Sequence, residues 1–542
     1  MNTNANNRQP FSWVPIAIAA SLVVGIWLGL LFSGKKAGEY DRKLNNILNL
    51  VSNEYVDNIE VDSLIELSIP EILSNLDPHS YYLSAKELQL AEEDLSGSFS
   101  GIGISFQISE DTLYVIEVIP GGPSEKAGIV AGDKIISANG KSLVGLDQNV
   151  IKETLRGKKD SKVKLEVKRM TSNKPLTFVV TRGDVPVKAV DAAYMIEKNT
   201  GYVRVNQFGR TTYDEFMQAL TTLKADGAKR YIVDLRGNGG GYMEMAIYMA
   251  NEFLPANQLI VSTKGRYKNN DSKVWSDGNG SFKDDEVIVL IDEFSASASE
   301  IFAGAIQDND RGLIVGCRSF GKGLVQKQFD LGDKSAIRLT IARYYTPSGR
   351  CIQKDYKAHG LLSYEKELFD RYTKGELYSR DSIKTDEKQQ FKTLHGRTVY
   401  GGGGIIPDIF VPQDTTPITS YYIAITNAQI IPQFVLKFVQ SNRSMLSEAK
   451  DHKQLLRMLN NNEQLLNDFV DFASEHGIPA RWYYINQSKD LIIKTIKALI
   501  ARDLFGQSAF YPIYNRNDKT VDAALKAFSK HQATFPILPN SY

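Results

Sequence analysis

The sequence predicts a multidomain α/β (α+β) protein: a layered core, a separate β-rich module, and helical regions at both ends. Three observations carry this. From about Val185 to Val411, strand-like apolar runs alternate with helical ones, the pattern of a mixed layered core. From about Ser96 to Gly183, short strand-like runs are separated by glycine-rich turns. The chain has 542 residues, 42% hydrophobic and 23% charged, enough for several folded domains. Its formal net charge of +1 leaves no electrostatic footprint for nucleic acid.

Taken in order, residues 1–35 read as a membrane anchor. Phe11 to Phe32 carries no charge and is long enough to cross a bilayer as one helix. No small-x-small cleavage site stands out after Leu31, so an uncleaved anchor is expected rather than a removed signal peptide. Residues 36–95 read as helical: Leu44, Ile47, Leu48, Val51 and Tyr55 recur at helical spacing, with Pro70 and Asp77-Pro78 as interruptions. In residues 96–183, Leu113–Ile116 and Val163–Val167 are strand-like. The core, 184–415, offers strands at Gly201–Val205, Tyr231–Val233 and Val287–Ile291, and helices at Tyr213–Leu223, Met243–Phe253 and Ile301–Gln307. A charged stretch, about 356–400, reads as an insertion in that core. Residues 416–542 have a helical pattern, for instance Leu455, Leu456, Leu459, Leu465, Leu466 and Phe469. This tail is open to three readings, bracing a dimer, capping a site or packing on the core, beside the plain one of a solvated bundle.

Two short stretches carry chemistry. Ser295-Ala296-Ser297-Ala298-Ser299-Glu300 places serines among small residues just after an apolar run, and Gly321-Lys322-Gly323 places a lysine between glycines. Together they suggest a serine nucleophile with a lysine base. Lysine accepts a proton only when neutral, so its pKa of about 10.4 must fall by roughly 3 units, which burial in an apolar site achieves. A helix starting near Ser299 would aim N–H groups at a developing oxyanion.

These residues resemble the carboxyl-terminal processing peptidases, or tail-specific proteases. The similarity rests on SASASEIFAGAIQD, FGKGLVQ, RYYTPSGRCIQ, GGIIPDI, Asp234–Gly241 and Leu76-Asp77-Pro78-His79-Ser80, in order over roughly residues 40–415. The resemblance implies a crotonase-like βαβ core, Ser297 as nucleophile, Lys322 as base, Gln326 as the group orienting the lysine, and the N–H groups of Gly240 and Ala298 as oxyanion donors. The run Pro120–Gly128 and Ala131–Ile135 resembles a PDZ domain, with Gly101-Ile102-Gly103-Ile104 as its carboxylate-binding loop. There, glycine-turn N–H groups would bind a terminal carboxylate and a strand edge would pair with the peptide. The expected activity is that of a serine endopeptidase acting on protein or peptide substrates with free C-termini. The alternative is a catalytically silent peptide-binding scaffold or chaperone, which would not need Ser297, Lys322 and Gln326 together.

Several rival readings are weaker. Ser295 and Ser299 could serve only as helix caps. Ser319-Phe320-Gly321-Lys322 spells Ser-x-x-Lys, but glycine disfavours the helix that pattern needs, and its companion motifs are missing. The segment after Val233 lacks the third glycine of a dinucleotide fingerprint. Six scattered histidines, with His79 read as a turn or packing residue, and two cysteines, Cys317 and Cys351, show no metal spacing. No metal and no cofactor are therefore expected. Lys35, Lys36, Arg42 and Lys43 follow the apolar span and only Arg8 precedes it, which by charge alone would leave the enzyme in the cytoplasm. The resemblance implies the opposite, an inner-membrane anchor with a periplasmic catalytic domain, and that is the expectation adopted. A homo-oligomer is left open.

Overall fold

The computed structural model describes residues 39–109, 111–169, 172–356 and 360–530. The expected span Phe11–Phe32 lies outside them. Among the described residues, no helix is long and apolar enough to cross a membrane.

The chain divides into two compact units, one ending at Leu76 and the other beginning at Asp77. In the first, helices Glu39–Glu54 and Val61–Ser74 leave Leu44, Ile47, Leu50, Leu67 and Ile72 exposed. Pro70, expected to interrupt, lies inside the second helix. A proline there removes one i→i−4 hydrogen bond, and this helix continues past it.

The second unit is built on a six-stranded sheet ordered Val190–Glu197, Thr200–Val205, Arg230–Asp234, Glu286–Ile291, Leu313–Gly316 and Ile409–Phe410. Its first pair is antiparallel and the rest are parallel. The strands are nearly all apolar because both faces are covered. Val203, Val233, Val289 and Ile314 face a core shared with Phe216, Met249, Phe302 and Ile306, from helices Thr212–Ala225, Met243–Asn251 and Ala298–Asp308. The alternate residues Tyr202, Ile232, Ile288 and Val315 face Val521, Ala524, Ala527 and Phe528, from the last described helix, Lys519–Ser529. The end of the tail thus packs on the core. The period of two along each strand divides the two layers.

A five-stranded antiparallel sheet stands beside this core, and in it Leu324–Asp330 and Tyr81–Leu83 both pair with Ala336–Tyr345. Strands Ile104–Ser109, Thr112–Val118, Lys134–Ala138, Lys162–Lys168 and Leu176–Thr181 form the β-rich module in that order, with Lys141–Ser142 alongside. It joins the rest through Ser98–Gly101 paired with Gly183–Pro186. The remaining tail helices bury their own core. Leu436 from that bundle packs against Tyr114 and Ile116 of the module, so this part of the tail is not a free solvated bundle.

Candidate active site

A cleft of about 800 Å³ is lined by Gly239, Gly241, Ser297, Lys322, Gln326 and Tyr344, among others. Ser297 sits where the turn after strand Glu286–Ile291 enters helix Ala298–Asp308. Its φ of 56° and ψ of −113° place a non-glycine residue in a disfavoured region. Such strain persists only when neighbours impose it.

Glu300 is the chief neighbour. It is fully buried, and its Oε2 accepts the N–H of Ser297 and the N–H of Lys322, both at 2.9 Å. Its Oε1 accepts Ser319 Oγ at 2.5 Å and Gly321 N–H at 2.7 Å. Burial pushes its carboxyl pKa up to about 7, against the pull of those four donors. Buried Tyr344 ties the same two segments from the carbonyl side. Its hydroxyl lies 2.6 Å from the Lys322 oxygen and 3.2 Å from that of Ser297.

The flanking serines hold loops. Ser295 Oγ donates to the Leu235 carbonyl and Ser299 Oγ to the Asn238 carbonyl, each at 2.8 Å. Both therefore anchor the turn Gly237–Gly241. Ser319 is fully buried, donates to Glu300 and accepts the Ile405 N–H at 2.6 Å.

Gly240 lies directly against Ser297: a Cβ there would sit 2.8 Å from both Ser297 Cβ and the Ala296 oxygen. Its N–H, however, donates to Asn238 Oδ1 at 2.9 Å. The N–H expected to face an oxyanion is thus held by a side chain two residues back. Among the described residues, no acceptor faces the N–H of Ala298.

Lys322 is half-buried. Burial draws its pKa below the usual lysine range, while Glu300 and Asp77 oppose the shift and Arg338 adds to it. Gly321 and Gly323 permit close backbone approach. A Cβ at Gly321 would meet the Gly404 N at 3.1 Å, and one at Gly323 would meet the Gln353 N at 2.9 Å. His79 is also part of the Lys322 surroundings. Its pKa falls to about 4, through burial and then the Lys322 charge, so it is neutral near pH 7. Gln326 lines the cleft, but its amide donates to Thr340 Oγ1 at 3.3 Å rather than meeting the lysine. Thr340 Oγ1 in turn donates to Asp77 Oδ1 at 3.0 Å.

In the β-rich module, the carbonyls of Ile102 and Gly103 accept the N–H groups of Ser124 and Ile119. Among the described residues, no acceptor faces their own N–H groups. Strand Ile104–Ser109 begins there and is the sheet's edge. Among the described residues, no cluster of three or more His, Cys, Asp or Glu side chains could hold a metal.

Residues 199–359 match Peptidase family S41, 100–181 match the PDZ domain, and 421–506 match a family of unknown function, DUF8443. A carboxy-terminal-processing protease of Bartonella bacilliformis is 38% identical over 316 residues, covering 57% of this chain and 72% of the relative. The chain belongs to peptidase family S41. This S41 serine peptidase is also 32% identical to the carboxy-terminal processing protease CtpB of Bacillus subtilis over 347 residues, 64% of this chain and 71% of that one. A solved photosystem II D1 C-terminal processing protease is 25% identical, covering 70% of this chain and 95% of its own, with a TM-score of 0.35.

Sequence reasoning gave the S41 peptidase no role for Glu300 or Tyr344. Glu300 was findable: an acid three residues after a serine that opens a helix has the spacing to reach back to that serine's N–H. Tyr344 sits in RYYTPSGR, and nothing local marks which tyrosine turns inward.

Proposed function

We propose that this S41 serine peptidase is an endopeptidase in which Ser297 is the nucleophile and neutral Lys322 its general base. The observation that carries the reading is the single oxygen Glu300 Oε2, which binds the backbone of both residues at 2.9 Å. In the proposed reaction the Lys322 amine takes the Ser297 Oγ proton as Oγ attacks the scissile carbonyl. The tetrahedral oxyanion is met by the Ala298 N–H, and by Gly240 once its N–H leaves Asn238. Protonated Lys322 then gives its proton to the leaving amine. Water repeats the sequence on the acyl-enzyme. Gln326 acts at one remove, through Thr340 and Asp77, on the charge environment of Lys322.

The PDZ domain, in this reading, takes the substrate's free carboxylate on the N–H groups of the Gly101–Ile104 loop and pairs the peptide with the edge strand. Anchoring by Phe11–Phe32 to an inner membrane, a periplasmic catalytic domain and self-association complete the proposal. The exposed apolar residues of the first two helices support the last of these.

The test uses an unfolded protein substrate followed by mass spectrometry. Ser297→Ala and Lys322→Ala should each abolish cleavage without unfolding the enzyme, and the double variant should be no worse. Activity in Ser297→Ala would overturn the assignment. Cleavage equal for free and amidated C-termini would remove the PDZ role but leave the dyad standing.

A further inference from the structure

The insertion at about 356–400 packs on the segment that carries Lys322. Arg371, on its helix Gly360–Thr373, has a side chain only 2% exposed. Its Nη1 donates to the Ser319 carbonyl at 2.7 Å and its Nη2 to the Phe320 carbonyl at 3.0 Å. These carbonyls immediately precede Gly321-Lys322. The remaining nitrogen, Nε, is held by Glu367 Oε1 at 2.6 Å. Lys354 reaches Glu367 Oε2 at 3.1 Å and lies 3.9 Å over the Phe320 ring. Arg318, at the start of the loop, donates to Glu376 at 2.5 and 2.7 Å. Tyr364 OH is 2.7 Å from His79 Nε2.

A Gly-Lys-Gly loop is intrinsically mobile, since glycine has the most backbone freedom to lose. A base must nevertheless be held close to its productive geometry. Glu300 fixes this loop by its donors, the N–H groups of Gly321 and Lys322. Arg371 fixes it by its acceptors, one and two residues upstream. One grip is a buried carboxyl and the other a guanidinium, whose bonds are charge-assisted, the stronger kind of hydrogen bond.

We propose that helix Gly360–Thr373 is a built-in brace for the Lys322 loop, with Arg371 as a positioning residue that sets, through the Ser319 and Phe320 carbonyls, where the Lys322 amine meets Ser297. The proposal rests on Lys322 being the base.

The test compares the full chain with Arg371→Gln, Arg371→Lys and Glu367→Gln. It follows kcat and KM on a short internal peptide against pH, with melting curves beside them. Arg371→Gln should lower kcat about ten- to a hundred-fold with KM nearly unchanged, as a misplaced base does. The acid limb of its kcat profile should move to higher pH, because a loosened loop admits water to the amine. The charged and titratable groups around that amine, Glu300, Arg338, Asp77 and His79, are all retained. Arg371→Lys should recover part of the loss, and Glu367→Gln should fall between. Wild-type kcat and limb in folded Arg371→Gln, or a loss that only tracks the unfolded fraction, would overturn the brace. If Arg371→Gln does not fold, Glu367→Gln decides by the same two readouts. Lys322→Ala separates the two ideas: activity there defeats the base reading, whereas a dead Lys322→Ala beside a wild-type Arg371→Gln defeats only the brace.

Discussion

The glycine turn of the PDZ domain and the one beside Ser297 differ in how their backbone donors are used. At Ile102 and Gly103 of the PDZ domain, no acceptor among the described residues faces the N–H groups. At Gly240, in the turn beside Ser297, the N–H is bound to Asn238 Oδ1 at 2.9 Å. A glycine pattern reports only that a backbone can turn and come close. Whether its donors are free is decided by the side chains around it. In the proposed reaction the PDZ turn offers its donors directly to a carboxylate, whereas the core turn exchanges a side-chain partner for an oxyanion.

The largest expected effect lies at Gly240. Gly240→Ala puts a Cβ 2.8 Å from Ser297 Cβ, at a φ of 103°. Its kcat should fall on the order of 10²–10³-fold for every substrate, short peptides included. A steady-state assay showing wild-type kcat would mean that this turn is not part of the reacting site.

Gly103→Val should act differently. Its Cβ would lie 3.1 Å from Pro123 Cδ at a φ of 73°, in the loop proposed to hold the tail. We expect kcat/KM on a protein with a free C-terminus to drop about ten- to a hundred-fold, the cost of one or two charge-assisted hydrogen bonds. A short internal peptide should be cleaved as before. Equal losses on both substrates would show that the two turns do not have separate roles.

A pH profile sharpens the catalytic side. Burial lowers the Lys322 pKa, and only the neutral amine accepts a proton. Activity should therefore rise with pH through a limb below the ordinary lysine value of about 10.4. A limb at or above that value would place the base elsewhere.

The smallest effect concerns stability. His79 has its pKa depressed to about 4 in the folded protein against 6.5 unfolded. Between those values the unfolded chain holds a proton that the folded one lacks, so stability gained from this group rises with pH across that window. His79→Gln should flatten that part of the melting-temperature profile. An unchanged slope would show that His79 does not titrate there.

Much of the core was legible because its signals are local. Val287–Ile291 reads as a buried strand and lies within Glu286–Ile291, while Tyr213–Leu223 lies within helix Thr212–Ala225. Ser297 and Lys322 stood out by their small and glycine neighbours, and both line the cleft. Gln326 was expected at the lysine because the family resemblance implies it. A register shift between Val325 and Gln326 interrupts the even pairing of this strand, and the amide meets Thr340 instead.

The tail and the insertion were not legible as partners of the site. Phe528 covers the outer face of the core sheet, and Arg236, beside the Gly237–Gly241 turn, binds Asp518 at 2.9 Å, the residue that caps helix Lys519–Ser529. Arg236 also joins Arg204 on fully buried Asp234. Burial alone would favour the neutral acid there, but the two guanidinium groups hold its carboxyl well below the usual range.

By itself, the sequence determined the residue types able to do the chemistry, the alternation that makes a two-sided sheet, and the glycines that allow Gly240 and Lys322 to approach their neighbours. Those properties depend on a few adjacent positions, and hydrophobic period and backbone freedom act over that range. Tertiary structure alone decided that Glu300 Oε2 joins the Ser297 and Lys322 backbones, that Asn238 occupies the Gly240 N–H, and that Arg371 reaches the Ser319 and Phe320 carbonyls. Each of these is a hydrogen bond whose partner is chosen by where the folded chain places a buried charge or amide, which must find a partner wherever one comes within reach.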